Sequence, residues 1–381
     1  MIAEAVPCID YSRLEPTLFR RQHLRVLRAV VVGAGALGNE AVKSLGMLGI
    51  REMLIIDQGI VESSNLTRSF FLRDPAAPGS NKALALARAA SGFFPDTLIR
   101  AHDREIAAVG WGELQQADIL FSCVDSDLAR LEIASISTRL RLPVCDAGLG
   151  ASNYSHGRVS YFPGRDGACF GCCLTRQRRR ELFGLIDCSA HPCWIAPEDA
   201  VYPSTPTMSS VIGAMQVEIG LRALLESPAA SALTLELSLH SPWASHGHRS
   251  LEQFSLPVSR ACPFHADRVF LLPSPGPASQ TTVRELLKAA ADQRSGRQGA
   301  PEWVLDWPIC ARAQCRACGR SWSPFARLAP LRNAGACPSC GSREISEQEI
   351  IRTVGAGSRW AEHTLTELGM PENHLYEIQF A

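Results

Sequence analysis

The stretch from Val31 to Arg68, VVGAGALGNEAVKSLGMLGIREMLIIDQGIVESSNLTR, constrains this chain most. It opens with an apolar strand, turns through Gly33-Ala34-Gly35-Ala36-Leu37-Gly38, and runs into a helix. A second apolar strand, Met53-Leu54-Ile55-Ile56, ends in Asp57. Strand, glycine turn, helix and strand form a βαβ unit, and such units build parallel sheets covered on both faces. The pattern repeats. Residues 83–90 are alanine-rich helix formers, and residues 98–102, 117–123 and 142–146 read as further strands. With right-handed crossovers, the expected fold is an α/β doubly wound, Rossmann-like, mostly parallel sheet.

The character changes near residue 157, where Arg158-Val159-Ser160-Tyr161-Phe162 opens an antiparallel portion. Residues 174–205 are irregular, with a basic run at residues 176–180 and several prolines. Met208 to Leu225 has helical spacing. The expected organisation is an N-terminal helical arm over 1–28 and a nucleotide-binding domain over 29–272, with 174–205 as a crossover segment. A Pro/Ser/Gly/Gln-rich linker around a short helix follows over 273–302, then a small zinc ribbon over 303–345 and a strand and turn segment over 346–381.

Bulk properties exclude several classes. In 381 residues, 38 basic side chains balance 38 acidic ones, so net charge favours neither nucleic acid nor an anionic membrane. No apolar run reaches the roughly 18–20 residues of a membrane span, and no basic-then-apolar signal pattern opens the chain. The chain is expected to be cytoplasmic. In a reducing compartment its 14 cysteines read as metal ligands or nucleophiles rather than disulfides.

A glycine turn before a helix offers unpaired N–H groups to phosphate, with Gly33, Gly35, Ala36 and Gly38 closest to it. That alone is equally an NAD site, and Asp57 suits ribose hydroxyls in either case. The residues that follow tip the balance. Asn65 and Arg68 lie past the second strand, Lys82 starts the next helix, Asp125 follows the strand ending in Ser122-Cys123, and Arg21 lies in the arm. Hydride transfer needs no such set of cations, whereas nucleotidyl transfer needs triphosphate charge neutralised by Arg, Lys and a metal. A carboxylate such as Asp125 suits Mg²⁺.

The segments RRQ (residues 20–22), GAGALG, IDQGIVESSNLTR, SNKA and CVDSDLAR resemble those of the E1-like (ThiF/MoeB-type) activating enzymes. These include the molybdopterin- and thiamine-synthesis adenylyltransferases and the ubiquitin-like activators. The resemblance runs over residues 18–265, more loosely over 360–381. It implies ATP as the nucleotide and adenylation of the C-terminal glycine of a small ubiquitin-like protein, with release of pyrophosphate. It places Asp57 on the ribose, Asn65, Arg68 and Lys82 on the phosphates, Asp125 on Mg²⁺, and Arg21 as a finger reaching the partner protomer of a homodimer. Ser69 departs from the Gln or Asn frequent in the family and puts one polar contact in doubt.

Two zinc sites are expected. Cys169-x-x-Cys172 and Cys262-x-x-His265 are knuckles able to close one Cys₃His site, with Cys173 pointing elsewhere. The resembled family holds a structural zinc with two CxxC pairs there, so His265 is a departure. Cys315-x-x-Cys318-Gly and Cys337-x-x-Cys340-Gly, 18 residues apart, have zinc-ribbon spacing. The ribbon reads either as a folded spacer or as a docking surface.

Cys188 and Cys193 lie in the crossover segment near His191, which would favour a thiolate. Cys193-Trp-Ile-Ala is similar to the family's Cys-Thr-Ile-Ala element, which favours Cys193 as a thioester site over Cys188. The first expectation is therefore an activator of a ubiquitin-like protein that passes a thioester to an E2-like conjugating enzyme, as in bacterial ubiquitin-like conjugation. The alternative is adenylation of a sulfur carrier for thiamine or molybdopterin synthesis, with neither cysteine required. The ribbon, the long crossover and the lack of a rhodanese-like extension favour the first. A silent scaffold would require loss of the nucleotide-site residues, and an NAD oxidoreductase would not need the cations.

Overall fold

The computed structural model describes residues 9–150, 154–164, 167–179, 182, 204–226, 231–239, 249–265, 270–293, 298–328, 331 and 335–380. Two compact units emerge. The first is built from described residues of 1–106, 117–172 and 202–259, the second from those of 107–116, 173–201 and 260–381.

Eight strands make the sheet of the first unit: β1 (Arg28–Val32), β2 (Glu52–Ile56), β3 (Leu98–His102), β4 (Ile119–Ser122), β5 (Val144–Leu149), β6 (His156–Phe162), β7 (Leu233–Leu239) and β8 (Arg249–Ser255). Their order is β3-β2-β1-β4-β5-β6-β7-β8. The five strands from β3 to β5 are parallel, and β6, β7 and β8 continue antiparallel. The chain winds outward from β1 to β3, then crosses back to β4 on the other side of β1. That reversal opens a crevice at the carboxyl ends of β1 and β4, where doubly wound folds bind ligands.

The helices follow from sequence in the ordinary way. In the arm, α1 (Arg21–Leu24) is a single turn, and the described residues before it are turns and bends rather than the expected helical arm. Pro16 interrupts that stretch and removes a backbone donor. α2 (Ala36–Leu48) starts at Gly35 and stops at Gly49, which takes a left-handed conformation. α3 (Lys82–Phe93) is capped by Asn81, and α4 (Trp111–Leu114) is one turn. α5 (Asp127–Leu140) is capped by Ser126, and α6 (Phe170–Cys173) is a single turn. α7 (Pro206–Leu225) is capped by Thr205 with proline at its first position.

Core residues Val31, Ile55 and Phe121 of the strands meet Leu45 of α2, Leu86 of α3 and Ile212, Val217 and Leu221 of α7. Each such side chain contributes about 1.5–3 kcal/mol by leaving water. Contrary to the sequence expectation, α7 is long and apolar enough to cross a bilayer by length and composition. It instead packs on α2, β4, β5 and β6. Its buried Gln216 donates to the carbonyls of Ser122 and Cys145, at 2.9 and 2.8 Å.

The second unit overturns the expected linker. β9 (Phe270–Pro273), α8 (Val283–Asp292), β10 (Pro301–Cys315), β11 (Ser321–Trp322), β12 (Ala326–Arg327), β13 (Ile345–Gly355) and β14 (Leu375–Phe380) share one fold. β13 pairs along one edge of β10, while β14, β12 and β11 share its other edge. β9 then pairs with β14. α8 begins with a reciprocal Thr282–Glu285 capping box and buries Val283, Leu286, Leu287 and Ala290 at helical spacing. These pack with Trp303, Ile309, Val354 and Tyr376. The Gly/Pro/Ser content of 273–302 thus flanks a core helix, and the cysteine ribbon is one end of the β10–β13 ladder rather than a separate module.

Candidate active site

The glycine turn is shaped by what it touches. Gly33 has φ +96°, and a Cβ there would stand 2.6 Å from the Cys123 carbonyl oxygen. A Cβ on Gly38 would strike the Gly33 carbonyl. Among the described residues nothing lies within 4 Å of the Cβ position at Gly35, the N-cap of α2, which has no side-chain cap. The start of α2 thus has room beside Gly35 and no side-chain cap on its first N–H groups, as an anion site requires. Ala36 is the first residue of that helix.

Asp57, at the end of β2, is held from both sides. Its Oδ2 accepts the Ala34 N–H at 2.6 Å and its Oδ1 accepts the Gly59 N–H at 2.6 Å. The carboxylate is fixed beside the turn, with lone pairs left for a further donor. Lys82 opens α3, and its N–H donates to the Gly59 carbonyl at 2.8 Å. A Cβ at Gly59 would lie 2.9 Å from Asp57 Oδ1 and 3.3 Å from Lys82 Nζ, so anion and cation converge over that glycine.

Asn65 is only 3 % exposed. Its Oδ1 accepts the Glu62 N–H at 2.9 Å, closing a short 3-10 turn over Ser63–Thr67. This shows Asn65 shaping the loop. Arg68 ends the same turn, and its Nη1 donates to Ser204 Oγ at 2.7 Å, just before α7. Ser69 is buried, and its Oγ has no partner among the described residues. Asp125 is exposed directly after β4, between Val124 and the α5 cap Ser126, and makes no hydrogen bond or ion pair with the described residues.

Arg21 has its own set of contacts. Within its own chain it donates to the Gly49 carbonyl at 2.5 Å, pairs with Asp96 at 2.6 Å and stacks on Tyr11 at 4.0 Å. Burial, with the Asp96 carboxylate beside it, pushes the Tyr11 hydroxyl up to about 12. Arg21 therefore anchors the arm to the end of α2 in this protomer.

Three supports escaped the sequence reading. Asn39, 1 % exposed, donates to the Ala34 and Gly35 carbonyls at 3.1 and 2.9 Å and accepts the Phe71 N–H at 3.0 Å. Asn81 donates to the Asp57 and Gly59 carbonyls at 2.8 and 3.2 Å while capping α3. Arg130 pairs with buried Asp146 at 3.0 Å and donates to the Val124 carbonyl at 2.7 Å, fixing the backbone next to Asp125. Asp146 also accepts from Ser122 at 2.6 Å. An asparagine in SNKA at a helix start was a readable cap. Asn39 and Arg130 sit inside helices and carried no comparable signal.

The buried thiols near this site are structural. Burial pushes Cys123 up to about 12 and raises Cys145 as well, and both face Gln216. Cys188, Cys193 and His191 lie outside the described residues.

Cys315, Cys318, Cys337 and Cys340 place their sulfurs within 4.8 Å of one another. Cys315 and Cys340 are 3.6 Å apart, Cys318 and Cys337 3.7 Å. A tetrahedral zinc with Zn–S near 2.3 Å separates its sulfurs by about 3.8 Å, so the residues fit the ion. Gly319 and Gly341, at φ +74° and +71°, turn the knuckles, and each N–H donates back to the first cysteine's carbonyl. Burial alone would raise the Cys337 thiol, but N–H groups of Cys340 and Ser339 outweigh it and lower it. At Cys340 the Ser342 N–H is outweighed by the crowding thiols of Cys318, Cys315 and Cys337, which raise it in the absence of a metal. A thiolate at Cys337 is what a metal needs. In the first unit, Cys169 and Cys172 sulfurs are 3.9 Å apart, and the Ser259 N–H donates to Cys172 at 3.4 Å. Cys173 is exposed. In the second unit, Cys262 is buried and its carbonyl accepts the His265 N–H at 3.4 Å across the turn Pro263–His265.

Residues 14–253 match the ThiF family. The chain belongs to the ThiF family. The ThiF match covers the first unit's strands from β1 into β8 and leaves β9–β14 outside it. The chain is 24% identical over 251 residues to "Ubiquitin-like modifier-activating enzyme 5" of Dictyostelium discoideum, covering 61% of this chain and 63% of that protein. It is 30% identical over 174 residues to "Ubiquitin-activating enzyme E1-like" of Saccharomyces cerevisiae, covering 44% of this chain and 26% of that protein. The chain thus spans less than two thirds of either relative. Among solved structures, E. coli MccB with ATP superposes with a TM-score of 0.50 at 18% identity, over 69% of this chain and 75% of that one, a likeness of fold.

Proposed function

We propose that this ThiF-family chain is an E1-like activating enzyme that adenylates the C-terminal glycine of a ubiquitin-like protein. The observation that carries the reading is the convergence of Asp57 and Lys82 over Gly59, beside the open helix start at Gly35. Arg68 and Asp125 lie on the loops that follow β2 and β4 of the same sheet. Asp57 takes the ribose, the α2 N-terminus with Lys82 and Arg68 takes the phosphates, and Asn65 holds the loop that carries Arg68. Mg²⁺ on Asp125 would supply charge neutralisation to the phosphates.

In the reaction, a carboxylate oxygen of the glycine attacks the α-phosphorus. The bond to the β-phosphate oxygen breaks, and pyrophosphate leaves with its electrons. Lys82 and Arg68 offset the negative charge that builds on the departing oxygens. For the later step, a Cys193 thiolate, favoured over Cys188, attacks the acyl carbon and expels AMP. The acyl group then passes to an E2-like conjugating enzyme. Arg21 acting in trans needs a homodimer and requires the side chain to leave Asp96. Zinc on the four ribbon cysteines, and a second zinc on Cys169, Cys172, Cys262 and His265, are structural in this reading.

The test is pyrophosphate exchange into ATP in the presence of small proteins ending in glycine, alongside a reducible band shift. Exchange with loss of the shift in Cys193→Ala supports the full reading. Loss in Cys188→Ala alone moves the thioester to that residue, and no exchange with any carrier refutes the proposal. A second reading, adenylation of a sulfur carrier without a thioester, draws on the 30% identity over 152 residues to "Adenylyltransferase and sulfurtransferase UBA4" of Eremothecium gossypii. Exchange that persists with no band shift in either thiol variant favours it.

A further inference from the structure

The cysteine-bearing end of the second unit has a charge pattern that zinc binding does not explain. Residues 307–343 contain six arginines (312, 316, 320, 327, 332 and 343) and no Asp, Glu or Lys, in a chain whose total charge is zero. β10 here has two different faces. Ala311, Ala313 and Cys315 are fully buried, while Arg312 and Gln314 are exposed on the other side. That outer face forms one wall of an open groove of about 570 Å³, lined by Arg312, Gln314, Ser321, Gln348, Glu349 and Arg359.

The lining groups are not equivalent. Arg359 is ion-paired with Glu349 and stacked on Trp360 at 4.6 Å. Glu349 sits opposite Arg312 in the ladder. The Arg312 carbonyl accepts from Cys310 Sγ at 3.2 Å, but its guanidinium has no hydrogen bond, ion pair or ring contact among the described residues. An unpaired guanidinium at a groove wall is a fork for a carboxylate, able to bind it through two parallel N–H bonds. Beside it, Gln314 and Gln348 donate to the Gly319 carbonyl and Ser346 Oγ at 3.2 and 3.3 Å, which leaves each amide one further N–H and its oxygen. With the Ser321 hydroxyl these offer both donors and acceptors, as a peptide backbone requires. Glu349 makes the groove a poor track for a phosphate backbone, which needs uninterrupted positive charge.

We propose that this groove docks a short, extended, acidic peptide segment of a partner protein, with Arg312 taking a carboxylate and the Gln and Ser side chains the main chain. That the partner is the carrier or the downstream enzyme rests on the activating-enzyme reading; the chemistry of the groove does not. Glu349 holds the Arg359 guanidinium, so removing its charge should free that group and strengthen binding.

The test uses the full zinc-loaded chain and a dye-labelled eight-residue peptide alternating Glu and Ser, read by fluorescence polarisation at low and high salt. Controls are a Gln-for-Glu peptide and a single-stranded oligonucleotide of equal length. The expected results are binding of the acidic peptide about tenfold tighter than the neutral one, a further loss of about tenfold in Arg312→Glu, and a gain in Glu349→Gln. Ser321→Glu, which adds an opposing charge at the rim, should weaken binding as well and serves if Arg312→Glu fails to keep its zinc. Equal affinity for the two peptides, indifference to all three substitutions, or tighter binding of the oligonucleotide would each overturn the proposal. Pyrophosphate exchange is measured in parallel. Groove binding without exchange refutes the activating-enzyme reading alone, and exchange without groove binding refutes this inference alone.

Discussion

At the scale of the residue, Asp57 has the clearest double duty. Its two oxygens each accept a backbone N–H, from Ala34 and Gly59, and so hold the glycine turn against the loop after β2. Asn at this position can offer only one acceptor oxygen. Asp57→Asn should cost about 1–3 kcal/mol of stability from the orphaned donor and weaken ATP binding, checked by melting and calorimetric titration. Asp125→Ala should behave oppositely. Its side chain is exposed and makes no bond with the described residues, so the melting temperature should stay put while adenylation fails. A melting change equal to that of Asp57→Asn would contradict its assignment to the metal. Asp57, Lys82 and Asp125 were legible in the sequence because strand ends and helix starts can be read from hydrophobic period and glycine. Asn39 and Arg130 were not, because a polar residue inside a helix reveals its partner only when distant segments meet.

Glu372 gives a pH test in the second unit. Its carboxylate accepts the Ala278 and Ser279 N–H groups at 2.8 and 3.1 Å, which lowers its pKa below the usual carboxylate value. A depressed folded pKa means the stabilisation is fully present above the unfolded value, near 4.5. It is lost as pH falls through the folded pKa. The melting difference between the native chain and Glu372→Gln should therefore be constant from pH 7 to 5 and shrink below that. A difference independent of pH would refute this role.

At the scale of the element, the buried pair Arg130–Asp146 joins α5 to β5 and steadies the carbonyl before Asp125. Arg130→Met leaves buried Asp146 with the Ser122 hydroxyl and the more distant Arg158, at 3.7 Å, and should cost about 1–3 kcal/mol, measured by denaturant unfolding. A cost below about 1 kcal/mol would match an exposed pair instead. The linker reading of residues 273–302 failed at this scale. Gly, Pro and Ser around the segment dominated its composition, while Val283, Leu286, Leu287 and Ala290 keep a helical apolar stripe and fill the second core. The ribbon was recognised by its cysteine spacing, but spacing says nothing about the long strands that carry it. Pairing of β10 with β13 made it part of a larger sheet.

At the scale of the molecule, the ThiF match accounts for the first unit and leaves most of the second outside it. The nucleotide chemistry and the ribbon groove therefore separate into independently testable parts. Chelation should release two zinc ions per chain, and Cys315→Ser should reduce the count to one, read by metal analysis. An unchanged count in that variant would remove the ribbon site. The parallel strands and the first antiparallel one, β6, were visible in the sequence because they are short and punctuated, whereas β7 (LTLELSL) and β8 (RSLEQFS) mix polar and apolar residues and were not read as strands. The second unit was less visible because long stretches separate its paired strands and because it takes in the excursion at 107–116, whose Trp111 packs on His374 at 4.9 Å.

The central claim is that the crevice beside Gly35 activates a carboxylate with ATP. Carrier-dependent exchange of labelled pyrophosphate into ATP measures that step itself. The account predicts exchange that needs a free C-terminal glycine carboxylate on the small protein and disappears in Asp125→Ala at unchanged melting temperature and zinc content. Exchange that survives amidation of that carboxylate, or survives Asp125→Ala, would contradict it.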